Sequence, residues 1–381
     1  MTTTTCVDDG AAPRYSRAQV DNCAFAAWYP SFEHVSIKST VIPLPPAFVS
    51  LILADGVVLP DALKAQEQQL ALASVRAQVD AVLQRFKGKA FPKLNWSSPR
   101  DASWMLGTMK CVNFEDVFLL LKASDFAVHD LIEAYAGCEA EQNDIADVVA
   151  QKRPMGPENV YLVLKKWCSF FDSMLFRCFV VSGALVGVSQ RNCDEFFPFL
   201  FDQQDHLCER IYTFFDTNFR KQQSGDRKKK RSAVFPDPDF IFDVYVDKQH
   251  RVYLLDINVF GGVTDPLLFS WDELLELRGA HERSTTIKSS GDDDSDDDDD
   301  DVHEVVDFRI VESELSIRPN PLSGYRVPTD LVDHLAGGAG FEAFMDQVKR
   351  DNAQEDDESS SEEDAEQDDD DGVLWGSDND D

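Results

Sequence analysis

Short apolar runs alternate with polar punctuation along the chain, and the period of each run predicts its element. Phe240 to Val246 and Val252 to Ile257 have strand length and flank the polar stretch Asp247 to Arg251, which predicts a β-hairpin. Leu175 to Val181 and Ala184 to Gln190 predict a second hairpin, turning at Ser182-Gly183. Further strands are expected at Ser36 to Ile42, Phe91 to Leu94, Val160 to Trp167 and Val305 to Ile310. Phe114 to Lys122 is read with them, as an apolar run that closes on a lysine. Leu63, Leu70, Leu72, Val75, Val79, Val82 and Phe86 follow helical spacing and predict an amphipathic helix over 61–87, ended by Gly88. Other helices are expected at Ala47 to Leu53, after Asp101, at 202–219, from Ser270 (with Glu273 at capping-box spacing) and at Leu331 to Val348. Residues 1–20 read as disordered, and 136–157 as a loop or insertion.

Polar residues that interrupt these runs are the candidate chemistry. Asp243 lies inside one strand of the first hairpin, and Asp256 and Asn258 close the other. Residues i and i+2 of a strand share a face, so Asp256 and Asn258 can aim at one point that Asp243 also reaches. Two carboxylates and an amide oxygen suit Mg²⁺. An ion pair satisfies the same carboxylates, and burial without any partner is costly. Gly261-Gly262 permits a sharp turn beyond them. Lys93 ends a strand before the hydroxyl-rich loop Asn95 to Asp101, where Ser97, Ser98 and nearby amides can cradle phosphate. Local sequence favours a Ser- or Asp-capped surface loop there, and no Walker motif is present. Lys165-Lys166-Trp167 ends its strand as a hinge able to meet a flat base. Trp28 and Tyr29 read as core before interface anchors.

Charge changes this picture little. The net charge is −34, but Asp292 to Asp301 holds nine carboxylates and Asp351 to Asp381 sixteen, with no base in either. These disordered tracts carry 25 of the 34 excess charges and leave about −9 on the remainder, which is ordinary for a soluble protein. Nucleic acid is therefore not the expected ligand. Arg220 to Arg231 holds seven basic residues, read as a solvated loop. The eight cysteines lack metal spacing and read as reduced core residues. No apolar run nears the roughly 18 residues of a membrane span, and no secretory signal is evident. A cytoplasmic monomer is expected.

Together FPKLNWSSPRDA, LLLKASDF, LKKW, FRCFV, FDVYVD, LLDIN and VTDPLLFSWDEL resemble the cell division cycle protein 123 family over Cys23 to Leu277. The resemblance implies an α+β ATP-grasp fold, with two β-rich lobes clamping ATP and Mg²⁺. The lobes are expected at 21–158 and 159–280, followed by an acidic insertion (281–304), a strand and helix (305–350) and an acidic tail (351–381). It also implies an assembly chaperone for eukaryotic translation initiation factor 2, acting through the gamma subunit. Lys93 and the loop containing Asn95, Ser97 and Asp101 would handle phosphates, as would Arg177. Lys165, Lys166 and Trp167 would frame adenine, and Asp243, Asp256 and Asn258 would hold the metal. Lys122 and Arg191 complete the candidate contacts. Val259 stands where the family has proline, and Gly262 where an acidic residue is common. The alternative on the same fold is an ATP-grasp carboxylate-amine ligase.

Overall fold

The computed structural model describes residues 12–54, 66–139, 155–221, 232–279 and 306–319. The expected acidic insertion and tail, the helix at Leu331 to Val348 and most of the basic block before Arg231 lie outside them. The chain forms two units of mixed α and β structure.

The smaller unit gathers Ile37–Leu131 and Glu158–Trp167. Its sheet is antiparallel, with β3 (Tyr161–Lys166) between β1 (Ser39–Pro43) and β2 (Ala90–Lys93). The expected boundary at 158–159 would put Tyr161–Lys166 in the second lobe, but both of its pairing partners are here. Against this sheet pack α3 (Pro46–Leu53), α4 (Gln66–Arg85) and α5 (Phe114–Lys122), burying Phe48, Val75, Val79, Phe114 and Leu120 with Leu164. The α4 stripe is Ala71, Leu72, Val75, Val79, Val82 and Leu83, while Leu70 points to solvent. Phe114–Lys122 is a helix and not a strand: Asn113 caps it by accepting the Asp116 amide, and Phe114, Val117, Phe118 and Leu121 share one buried face. A following helix, α6 (Asp125–Ile132), completes the unit.

The larger unit gathers the described residues of Met1–Ser36, Ile132–Pro157 and Cys168–Asn320. It is built on β4 (Leu175–Val181), β5 (Ala184–Gln190), β6 (Phe240–Val246), β7 (Val252–Val259) and β8 (Asp307–Arg309). Their order in the sheet is β8-β5-β4-β6-β7, with only the β8–β5 pair parallel among the described strands. Ser182 and Gly183 both have positive φ (51° and 75°), as a two-residue type I′ hairpin requires. One sheet face packs on α7 (Leu200–Phe219), where Phe215 stacks on Phe242 and Phe219 lies 4.9 Å from the same ring. The opposite face buries Phe179, Ile241, Phe260 and Phe269 with Trp271 and Leu274 of the helical stretch 271–279.

Residues 12–20 are ordered, in contrast to the expected disorder. Ser16 and Gln19 form a capping box on α1 (Arg17–Asn22), and Tyr15 and Val20 are buried. Next comes α2 (Phe25–Phe32), whose Trp28 and Tyr29 are core residues, with Tyr29 stacked 4.8 Å from Phe25. The strand expected from Ser36 begins only at Ser39. Ser36 instead bridges Leu254 in the larger unit.

Candidate functional site

Strand register in the larger unit places Arg309, Ser189, Arg177, Asp243 and Asp256 in one cross-strand row over five strands. Side chains in such a row project to the same face. Arg177 lies opposite Asp243 and grips it with two bonds: Nε donates to Oδ1 at 2.8 Å and Nη2 to Oδ2 at 2.9 Å. Arg191, one residue past β5, donates Nε to Oδ2 at 3.0 Å. The remaining Arg177 amine, Nη1, donates to the Asp265 carbonyl at 2.7 Å, which ties the turn after β7 to the row. Burial alone would raise the Asp243 carboxyl. The two guanidinium charges and their hydrogen bonds outweigh it and hold the group well below the usual carboxylate range. Arg177 shows the mirror case: burial would lower it, and Asp243 keeps it firmly charged.

Asp256 is the Cα partner of Asp243 and is half-buried, and Asn258 pairs with Ile241 two positions along the same face. The Asn258 Nδ2 is buried without a hydrogen-bond partner. Between Leu254 and Asp256 the register shifts, so Leu255 bulges and brings Asp256 opposite Asp243. Asp243, Asp256 and Asn258 therefore stand on one sheet face, and Asp243 is first of all an arginine partner.

The turn beyond β7 does not depend on glycine for its backbone angles, since neither Gly261 nor Gly262 has positive φ. Glycine is needed at Gly261 because the N-terminal segment lies against it. A Cβ there would meet the Tyr15 ring at 2.4 Å and the Pro13 carbonyl at 2.8 Å.

In the smaller unit, Lys93 and Lys165 share the sheet face opposite to Leu162, Leu164 and Lys166. Lys93 is fully buried, and its Nζ donates to the Trp96 carbonyl. The loop that follows is held from within. Asp130 on α6 accepts the Trp96 amide at 3.1 Å and the Ser97 amide at 2.7 Å. Asn95 donates to the Asn159 carbonyl and accepts the Tyr161 amide. Asp101 accepts from the Ser124 hydroxyl and the Phe126 amide at the start of α6. Two of the amides expected to cradle phosphate are thus bound to a carboxylate. Burial raises the Asp130 carboxyl, against the pull of the Ser97 and Trp96 donors and of Lys93. Lys122 ends a helix and not a strand, and its ammonium caps α3 by donating to the Leu51, Ile52 and Ala54 carbonyls. Trp167 is half-buried, and its amide donates to the Lys89 carbonyl.

Sequence reasoning missed Asp130, although a signal existed: it stands three residues after buried Ala127 and next to buried Leu131, on the inward face of α6. It also missed the Asp265 carbonyl, for which residue identity gives no cue.

Among the described residues no group of three His, Cys, Asp or Glu converges as a metal centre, and no helix is long and apolar enough to cross a membrane. The described cysteines are free. Burial pushes the Cys193 and Cys208 thiols up to about 11, which suits packing and not nucleophilic work.

Known proteins resemble this chain. The D123 family model matches residues 28–74 and 61–335. A "Translation initiation factor eIF2 assembly protein" of Xenopus tropicalis is 33% identical over 368 residues, covering 89% of this chain and 98% of that protein. "Cell division cycle protein 123" of Aspergillus terreus is 38% identical over 287 residues, covering 70% of this chain and 65% of that protein. The structure of C-terminally truncated Cdc123 from Schizosaccharomyces pombe matches with a TM-score of 0.59 at 30% identity, over 79% of this chain and 100% of that one. On a family match and a relative that both span most of its length, this chain belongs to the D123 family, that of cell division cycle protein 123.

Proposed function

We propose that the chain is an ATP- and Mg²⁺-binding factor of the ATP-grasp type that assembles eukaryotic translation initiation factor 2 through its gamma subunit. The assembly role follows from the relatives, which carry it in their names. The nucleotide reading rests on one observation above the others. Asp256 and Asn258, whose buried Nδ2 donor has no partner, stand beside a carboxylate already fixed by two arginines.

That donor set fits Mg²⁺ within limits. A carboxylate has about four acceptor directions, and the arginines occupy three on Asp243. A metal would draw on Asp256 and the Asn258 oxygen, with at most one further contact from Asp243. Bound there, Mg²⁺ would neutralise phosphate oxygens. Arg177 and Arg191 would add positive charge beside those phosphates. Within the smaller unit, Lys165, Trp167 and the Ser97-Ser98 loop are the further candidate contacts for ATP. Asn95, Asp101, Asp130 and Lys122 would act by shaping those elements.

Calorimetry with Mg-ATP on the wild type and on Asp256→Ala tests the nucleotide reading. Loss of binding with an unchanged melting curve is the expected result, and equal affinity removes Asp256 from the site. Capture of the purified gamma subunit with and without Mg-ATP tests the partner separately.

A further inference from the structure

The segments that carry the smaller unit's strands are basic within an acidic chain. Residues 37–54, 81–100 and 160–171 supply all three strands of the smaller unit, and together they contain eight Lys and Arg and no Asp or Glu. The fold then gathers five of these cations at one end of that sheet. The Lys166 amide donates to the Lys38 carbonyl at 2.8 Å, and the Trp167 amide to the Lys89 carbonyl at 3.3 Å, so the three backbones adjoin. Arg85, ending α4, donates Nη2 to the Thr40 hydroxyl at 3.4 Å on the neighbouring strand position. Lys87 lies in the turn between α4 and β2, in left-handed backbone. Lys38, Arg85, Lys87 and Lys89 are exposed. Lys38 and Lys166 project on the helix-covered side, away from the face shared by Lys93 and Lys165. This rim is thus separate from the proposed nucleotide face.

We infer that this rim binds an acidic peptide segment, and that its occupant is the chain's own 351–381 stretch. The argument is charge complementarity plus connection. That stretch carries sixteen carboxylates and no base. Such a segment meets closely spaced cations without desolvating a buried charge, so the contact is weak in trans. Covalent connection makes it effective in cis. About thirty intervening residues span at most on the order of 100 Å, and covalent connection of that reach raises the segment's effective concentration at the rim. Because the charges are exposed, the contact should fade as salt shortens the screening length from about 20 Å to about 3 Å.

Zero-length carbodiimide cross-linking of the full chain, mapped by mass spectrometry, reads this directly. At about 20 mM salt the expected cross-links join carboxylates of 355–371 to Lys38, Lys87 or Lys89 within one chain. They should fall at least fivefold at about 1 M salt, and by as much in Lys38→Glu/Lys89→Glu. That pair changes exposed side chains only, and an unchanged melting curve verifies its fold. A synthetic 355–371 peptide added in excess should compete the cross-links away. Cross-links spread evenly over other exposed lysines such as Lys248 would overturn the proposal. So would cross-links that form between chains and vanish on dilution, or that ignore both salt and the charge reversal.

Discussion

Asp243→Asn is the sharpest perturbation of the charged row. The side chain keeps its shape, and the charge facing two guanidinium groups disappears. Arg177 then has nowhere to go: its side chain is only 8% exposed, and Nη1 is already engaged by the Asp265 carbonyl. Arg191, at 28%, can turn toward water. The cost is therefore that of stranding one buried cation, about 3–5 kcal/mol. For a unit of this size that corresponds to a fall in Tm on the order of 10 °C. Urea denaturation read by circular dichroism should show a lower midpoint with an unchanged slope. Replacing both partners, as in Arg177→Met/Asp243→Leu, should recover most of the loss, because well-packed apolar side chains substitute for a buried pair at little net cost. Acid supplies a second readout. A folded-state pKa held below the ordinary value of about 3.9 contributes stability above that pH and loses it as pH falls. The gap between wild type and Asp243→Asn should therefore narrow from about pH 5 downward. A loss under about 1 kcal/mol, or parallel acid curves, would refute the claim that this pair holds the sheet face together.

Three further outcomes follow from particular contacts. Tyr29→Ala should cost about 3–5 kcal/mol, because the ring is buried against Phe25; a stable variant that loses gamma-subunit capture would instead make Tyr29 an interface anchor. Gly187→Ala should cost about 1–3 kcal/mol by thermal melting, since its Cβ would meet the Phe269 ring at 2.9 Å while Phe179 and Arg309 flank that ring. Burial raises the Asp130 carboxyl, so stability is lost as pH rises through its folded value. Asp130→Asn keeps an oxygen for the Trp96 and Ser97 amides and should flatten that loss, whereas Asp130→Leu should cost about 1–3 kcal/mol for each amide stranded.

Much of this was legible because the hairpins are written in short-range pattern. Ser182-Gly183 and the run from Phe240 to Ile257 needed only alternation and turn chemistry. The row of Asp243, Asp256 and Asn258 was legible for the same reason, since strand parity assigns faces. Pairing across long intervals was not. Nothing local says that Tyr161–Lys166 joins Ser39–Pro43 and Ala90–Lys93, or that Arg177 lies opposite Asp243. Lys122 misled for a different reason. FEDVFLLLK is apolar enough for a strand, and its length of nine residues sits where strands and helices overlap. The deciding cue was Asn113 with Asp116 three residues later, a cap. The hold of Asp130 on the loop after Lys93 was not legible, because hydroxyls and amides in sequence do not reveal that a distant carboxylate binds two of those amides.

The departures at Val259 and Gly262 connect to the N-terminal segment. Val259 is the last residue of β7 and pairs with Phe240, so the strand runs one residue past Asn258 and delivers the chain to Gly261-Gly262. Ala12, Pro13 and Tyr15 pack against that turn. The contact is uneven. At Gly261 a new Cβ would collide with the Tyr15 ring and with backbone at Pro13, neither of which can rotate away cheaply. At Gly262 it would meet only the Ala12 methyl, at 3.1 Å. Gly261→Ala should therefore cost about 1–3 kcal/mol. Gly262→Ala should lie near zero, since a modest contact offsets the roughly 0.4–1 kcal/mol gained by restricting the unfolded chain. Thermal melting of the two variants side by side tests the arrangement. If Gly261→Ala melts with the wild type, residues 12–15 do not lie on the turn, and order in this segment would have to come from contacts elsewhere, such as the Ser16–Gln19 cap, Val20 and the Glu139 amide that donates to the Tyr15 carbonyl. If both variants lose stability equally, the glycines answer to backbone geometry after all, and the small residue at 262 is explained by the turn and not by the N-terminal segment.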